Sequence, residues 1–428
     1  MKLLIRNGRV IDPATGIDAV CDVLIEGGTI RAVEPEIRLP DMSKARLVDA
    51  TGCIVTPGLI DMHTHLREPG HEYKETIASG SRAAAAGGFT SIVCMANTQP
   101  VNDSAAVTRF ICERARTTAC VNVYPVGAIT VGLRGETLTE MGDMKEAGIV
   151  AVSDDGVTVA DAGVMRRGIE YARTFDLPVI CHCEDRTLSR NGVMHEGLTS
   201  VRLGLRGIPA AAEEIMVARD ILLAGLTGHP VHIAHVSTAG SVHLIRDAKA
   251  RGIPVTAETA PHYFTLTDEA VLGFNTDAKV NPPLRTAADV TAVREGLRDG
   301  TLDVIASDHA PHSSLEKDLE FDNAAFGMIG LETTLALTLG LVRENVLTMA
   351  QALEKLTVNP ARILRLPKGV LTPGAAADIT IFDPQQPWTV DRNRFFSKSK
   401  NSPLHGLQVA GTVRHTLVAG TVVFPFAT

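Results

Sequence analysis

Hydrophobic and polar positions change rhythm twice along the chain. Over residues 1–56, LLIRNGRVID, DVLIEGGTIRAVEP and ARLVDATGCIVTPG alternate apolar and polar residues with Gly punctuation and no helical period, which predicts short strands and turns. Residues 368–428 have the same texture in ADITIFDP and QVAGTVRHTLVAGTVVF. Between them, over 57–367, short apolar runs (LIDMH, SIVCM, VNVYPV, IVAVS, PVICH, VHIAHV, PVTAE, LDVIAS) alternate with amphipathic, Ala-rich segments such as SAAVTRFICERART and AEEIMVARDILLAG. Gly148, Gly228 and Gly252 stand where they can end helices before the next strand. About eight βα repeats in about 310 residues match a (β/α)8 TIM barrel. No G-x-G-x-x-G opens a helix after the first strand, which disfavours a doubly wound sheet. The expected organisation is an α/β chain: a barrel over 57–367, and a small β-sandwich-like domain built jointly from 1–56 and 368–428.

Composition narrows the function. Of 428 residues, 45% are hydrophobic and 21% charged, the profile of a well-cored globular protein. The formal charge, 41 − 49 = −8, lacks the basic footprint of a nucleic-acid binder and disfavours an anionic membrane surface. The opening MKLLIRNGRVIDPATG has no apolar core of a secretory leader, and no run of about 20 apolar residues could cross a bilayer. Seven cysteines, an odd number, read as buried reduced thiols of a cytoplasmic protein.

The candidate chemistry sits where the barrel strands end. The first candidate strand ends in His63 and His65, which share a face because strand side chains alternate. IVAVSDDG ends in Asp154 and Asp155, PVICHCED in His182 to Asp185, VHIAHVST in His235, and LDVIASDHAPH in Asp308, His309 and His312. Each would be costly as mere core filling. Imidazoles and carboxylates from several strand ends suit one divalent metal centre, most naturally zinc. Alternation lets only one of His232 and His235 enter the barrel, and His235 lies nearer the mouth. It also turns Cys181 and Cys183 toward the helices if His182 points inward. His71, His195, His229, His243, His405 and His415 read as loop or surface residues. His262 and His309 stay open, as does the choice between Asp154 and Asp155.

DMHTHLREPG, VNPPLR, ASDHAPHSSLEK, SDDG and FGMIGLET resemble, in order and spacing, the longer bacterial dihydroorotases of the amidohydrolase superfamily. The resemblance runs from NGRVID to AAADITIFD; Thr64, where the family usually has an aliphatic residue, departs from it. It implies two zinc ions per subunit, one alone being the alternative. The first would be held by His63, His65, Asp155 and Asp308, the second by Asp155, His182 and His235. It implies reversible cyclisation of N-carbamoyl-L-aspartate to L-dihydroorotate plus water, through a zinc-bound hydroxide and Asp308 as general acid and base. Substrate would meet His65, Arg67, Asn97, Asn281, His312 and the backbone of Phe326 and Gly327, with the 313–327 segment as a cover. A homodimer is implied, and aspartate transcarbamoylase is the protein partner to test. Two rivals remain. One is an allantoinase or hydantoinase, whose metals are bridged by a carboxylated lysine that IVAVSDDG lacks. The other is a non-catalytic scaffold for aspartate transcarbamoylase, which would lack metal ligands that are all present here.

Overall fold

The computed structural model describes residues 2–41 and 45–426. Eight parallel strands run in ring order: Leu59–Thr64, Phe89–Cys94, Asn122–Gly127, Ala151–Ser153, Val179–Cys181, Val231–Ile233, Val255–Thr259 and Val304–Ile305. The ring closes between last and first through a parallel bridge from His309 to Thr64 and through the Ser307 amide, which donates to the Asp61 carboxylate at 3.1 Å. Inward side chains from successive strands, among them Met62, Val93, Val126, Ala151, Ile180 and Val304, fill the barrel as a separate apolar cluster.

Local chemistry starts and stops the outer helices. Thr76 caps Ile77–Ala86 by accepting from the Ser79 amide at 3.1 Å, and Thr286 and Asp289 form a capping box on Ala287–Arg298. Left-handed Gly228 ends Ala211–Thr227 and turns the chain into the sixth barrel strand. Among the described residues no helix is long and apolar enough to cross a membrane.

Both chain ends do share one sheet. Its eight strands include Lys2–Asp12, Ile17–Glu26 and Ile54–Pro57 from the N-terminal part and Ile379–Thr389 and Gln408–Val418 from the C-terminal part. The join is the antiparallel pairing of Ile54–Pro57 with Ile379–Thr389, and Ile5, Val23, Ile30, Val55, Ile379 and Leu417 form a common core there. Ile54–Pro57 leads directly into the first barrel strand, which seats this sheet against the barrel. All seven cysteines are free, and the Cys183 thiol lies 3.5 Å from Asp220 on the helix side of the barrel wall.

Candidate metal centre

The strand ends bring two groups of donors around one carboxylate. His63, His65 and Asp155 form one, and Asp155, His182 and His235 the other. His63 Nε2 lies 3.4 Å and His65 Nε2 3.5 Å from the Asp155 carboxylate. On the far side, His182 Nδ1 lies 3.5 Å and His235 Nε2 3.4 Å from Asp155 Oδ1. Asp308 Oδ1 lies beside the first group, 3.6 Å from His63 Nε2 and 3.3 Å from His65 Nε2.

These spacings test the fit of a metal. Two donors bound about 2.1 Å from one tetrahedral ion lie about 3.4 Å apart. The pairs around Asp155 repeat that value and exceed a good hydrogen bond. His63 Nε2 and Asp155 Oδ1 are buried without a hydrogen-bond partner, a costly state for polar atoms unless a cation joins them. The residues therefore fit divalent cations.

Charge agrees with geometry. Burial opposes ionisation of Asp155, but His63, His182 and His235 outweigh it and hold the carboxyl well below its ordinary range. Burial likewise opposes ionisation of Asp308, and His65 and His63 overcome it. In return Asp155 and Glu258 lift His63 well above its ordinary value against burial, and Asp155 with Glu184 lifts His182 to about 10. The two carboxylates thus favour positive charge at the centre.

Second nitrogens fix the ring orientations. His63 Nδ1 meets Glu258 Oε1 at 2.5 Å, His65 Nδ1 meets Asn97 Oδ1 at 2.9 Å, and His182 Nε2 meets Glu184 Oε2 at 3.1 Å. Asp154 takes no part in the centre. It turns to the segment that follows the third strand and accepts from the Ile129 amide at 2.7 Å and the Thr130 amide at 3.0 Å.

A cavity of about 220 Å³ opens on the donors and is lined by Arg67, Asn97, Asn281, His312, Phe326 and Gly327 as well. Arg67 spends Nε on the Pro311 carbonyl at 3.1 Å, and its Nη2 lies 3.3 Å from His312 Nε2. Asn281 donates to Glu184 at 3.1 Å. The Gly327 amide donates to the Lys279 carbonyl at 2.8 Å, so its backbone N–H is already engaged. Gly327 has φ +137°, and a Cβ there would fall 2.8 Å from Ala310, so only glycine brings the chain this close.

Alternation misjudged one histidine. His232 also points into the barrel, with Nε2 3.3 Å from Glu258 Oε2 and Nδ1 2.8 Å from Thr256 Oγ1. The strand ends at Ile233, and His235 has φ 35°, so the period-two rule no longer links the two positions. His195 and His229 are buried and not at the surface. His195 Nδ1 lies 3.2 Å from Arg285, and His229 Nε2 donates to the Leu177 carbonyl at 2.9 Å. Of the two left open, His309 is structural, bonded to Glu75 at 3.4 Å. His262 is buried, and burial pulls it down to about 4, so it is neutral. Glu258 escaped notice, although a lone carboxylate in the apolar run PVTAE was a legible signal.

The Dihydro-orotase-like family matches residues 52–241 of this chain. A dihydroorotase of Geobacter metallireducens is 57% identical over 424 residues, covering 99% of this chain and 100% of the relative. One of Pelotomaculum thermopropionicum is 60% identical and covers 99% and 98%. Among solved structures, the L-hydantoinase of Arthrobacter aurescens superposes with a TM-score of 0.89 at 26% identity, covering 98% of this chain and 95% of that one. The dihydropyrimidinase of Brevibacillus agri gives 0.86 at 26%, covering 99% and 95%.

Proposed function

The chain belongs to the dihydroorotase family, and from that premise we infer that its site interconverts N-carbamoyl-L-aspartate and L-dihydroorotate plus water, the ring-forming step of pyrimidine synthesis. The observation that carries the reading is the convergence of two donor groups on Asp155 beside the cationic Arg67. We assign zinc as the metal, with two ions per subunit: one for His63, His65, Asp155 and Asp308, a second for Asp155, His182 and His235. A single ion in the first group is the alternative. When bound, zinc supplies Lewis acidity toward the ring amide carbonyl and acidifies water to near neutrality.

The chain's own residues do the rest. Asp308, kept ionised and beside His65, carries a proton between water and the ring nitrogen, and in synthesis returns it to water. Arg67 presents its Nη groups to the substrate carboxylate, with Asn97 and His312 at its sides. Asn281 and the Phe326 backbone meet the ring's polar edge, and Gly327 lets the chain approach it.

The hydantoinase-like rival is disfavoured because a carboxylate, that of Asp155, holds the shared position, while Lys145 lies on the preceding helix Met141–Ala147. The scaffold rival is disfavoured because all six ligand positions carry donors. The same reading makes 57–367 the catalytic barrel and 1–56 with 368–428 the small β domain of a cytoplasmic homodimer. A stripe of exposed Ile215, Leu222 and Leu226 on the helix Ala211–Thr227 supports the dimer, and aspartate transcarbamoylase remains the heterologous partner to test. The deciding experiment assays the zinc-loaded chain in both directions beside metal analysis. Turnover of hydantoin or allantoin but of neither pyrimidine-pathway substrate would reject the reading.

A further inference from the structure

Two lysines lie almost wholly buried behind the Phe326 loop, at 2% exposure for Lys279 and 5% for Lys317. Neither faces a carboxylate within ion-pair distance among the described residues, and both are spent on main-chain carbonyls. Lys317 Nζ donates to Ala325 at 2.8 Å, Gly327 at 3.0 Å and Lys279 at 3.4 Å. Lys279 Nζ donates to Phe321 at 2.6 Å and Asp322 at 3.1 Å, and stands 4.5 Å from the Phe326 ring centre. The nearby acids are committed elsewhere: Asp277 to Arg392, and Glu316 to Lys74 at 2.7 Å. Asp322, beside Lys279, is exposed.

Burying an ammonium against dipoles alone is expensive, and an apolar side chain of equal length would fill the same space at less cost. What the arrangement achieves is directional. It gathers carbonyls on both sides of Phe326, at 321 and 322 before it and at 325 and 327 around it. The Phe326 N–H and C=O themselves take no internal hydrogen bond among the described residues, and Phe326 lines the cavity over the donor groups. Asn401 adds a brace from the C-terminal segment, donating to Gly327 and Ala310 at 3.0 Å each.

We propose that Lys279 and Lys317 are positioning residues of the substrate site, a pair of buried ammonium groups that draw the 321–327 carbonyls inward and hold the Phe326 peptide open to the substrate's polar edge. This rests on the dihydroorotase reading for the identity of the substrate, but not for the clamp itself. The segment is then a seated wall of the pocket, fixed from behind.

The clamp weakens when the amines lose their protons. Burial pulls both down to about 8, opposed by Asp322 at Lys279 and by Asp277 at Lys317. A folded amine pKa below the unfolded value makes the lysines' own contribution to stability grow as pH rises through about 8. Substrate affinity should move the other way, which a purely structural role would not produce.

The test compares the full zinc-loaded chain with Lys317→Met, which keeps length and removes charge and donors. Expected are a KM raised about tenfold for both carbamoyl aspartate and dihydroorotate, kcat within about threefold, and unchanged zinc content. Amide exchange across 321–328 should speed up. In the wild type, KM should climb between about pH 7 and about pH 9.5 without a fall in the unfolding midpoint. A folded variant with wild-type KM and wild-type exchange overturns the proposal. If the variant does not fold, a wild-type KM flat over that range overturns it. Failure of the wild type to turn over either substrate would reject the functional reading, while the exchange comparison would still decide the clamp.

Discussion

Replacing Glu258 with glutamine should weaken zinc binding by about ten- to a hundredfold while leaving the barrel folded. Glu258 is buried on the seventh barrel strand, with one oxygen 2.5 Å from His63 Nδ1 and the other 3.3 Å from His232 Nε2. Burial opposes its charge, yet His63 and His232 draw the carboxyl down to about 2. Against an ordinary carboxyl this is worth roughly 3 kcal/mol in favour of the charged form after the cost of burial, which gives the scale of its coupling to the two imidazoles. Glutamine keeps the shape and one acceptor oxygen but loses the charge, and its amide group must face one of the two imidazoles. Part of that coupling should therefore be lost, and each factor of ten in affinity costs about 1.4 kcal/mol. The assay strips the protein with a chelator and titrates zinc back against a chromophoric competitor, with circular dichroism to verify the fold. A folded variant whose zinc affinity stays within about threefold of the wild type would refute the view that Glu258 orients and charges the His63 ligand.

Asp308→Asn should cut kcat by about 10²- to 10⁴-fold while zinc bound by Asp155, His182 and His235 is retained, read by steady-state kinetics beside metal analysis. Arg67→Lys should raise KM for both substrates about tenfold, because lysine cannot hold the Pro311 carbonyl and a carboxylate together in one planar fork; an unchanged KM would remove Arg67 from the substrate site. Glu332, outside the donor groups and the cavity over them, tests the electrostatics alone. Burial lifts its carboxyl to about 7, although the Phe396 and Ser397 amides donate to it. With the folded pKa above the unfolded value, its contribution to stability is complete below about pH 4.5 and is lost as pH rises through about 7. Glu332→Gln should flatten that part of the midpoint–pH curve between about pH 5 and about pH 8, and parallel curves would count against it.

Much of this molecule was legible in one dimension because its signals are periodic and local. The eight short apolar runs became the eight barrel strands, and polar residues at their ends converge in two groups able to hold a metal ion. Inside the fifth strand the period of two held, with Ile180 in the barrel interior and Val179 and Cys181 in the core on the helix side. The rule stopped where the ladder stopped. Arg67, His235 and Asp308 take φ of 61°, 35° and 48°, a left-handed backbone that non-glycine residues adopt only when their surroundings compel it, and no alternation rule reaches past such a residue. Choosing Asp155 over Asp154 needed the segment after the third strand, whose Ile129 and Thr130 amides claim Asp154. Glu258 stood out as a lone carboxylate in PVTAE, but its contacts, like those of His232, Lys279 and Lys317, were unreadable for a related reason. Their partners are set by barrel closure and loop packing, as in the His63–Glu258 contact across 195 positions, and a buried charge is tolerated only where the closed fold supplies its counter-dipoles. Periodicity decides which residues can face inward; closure decides which of them meet.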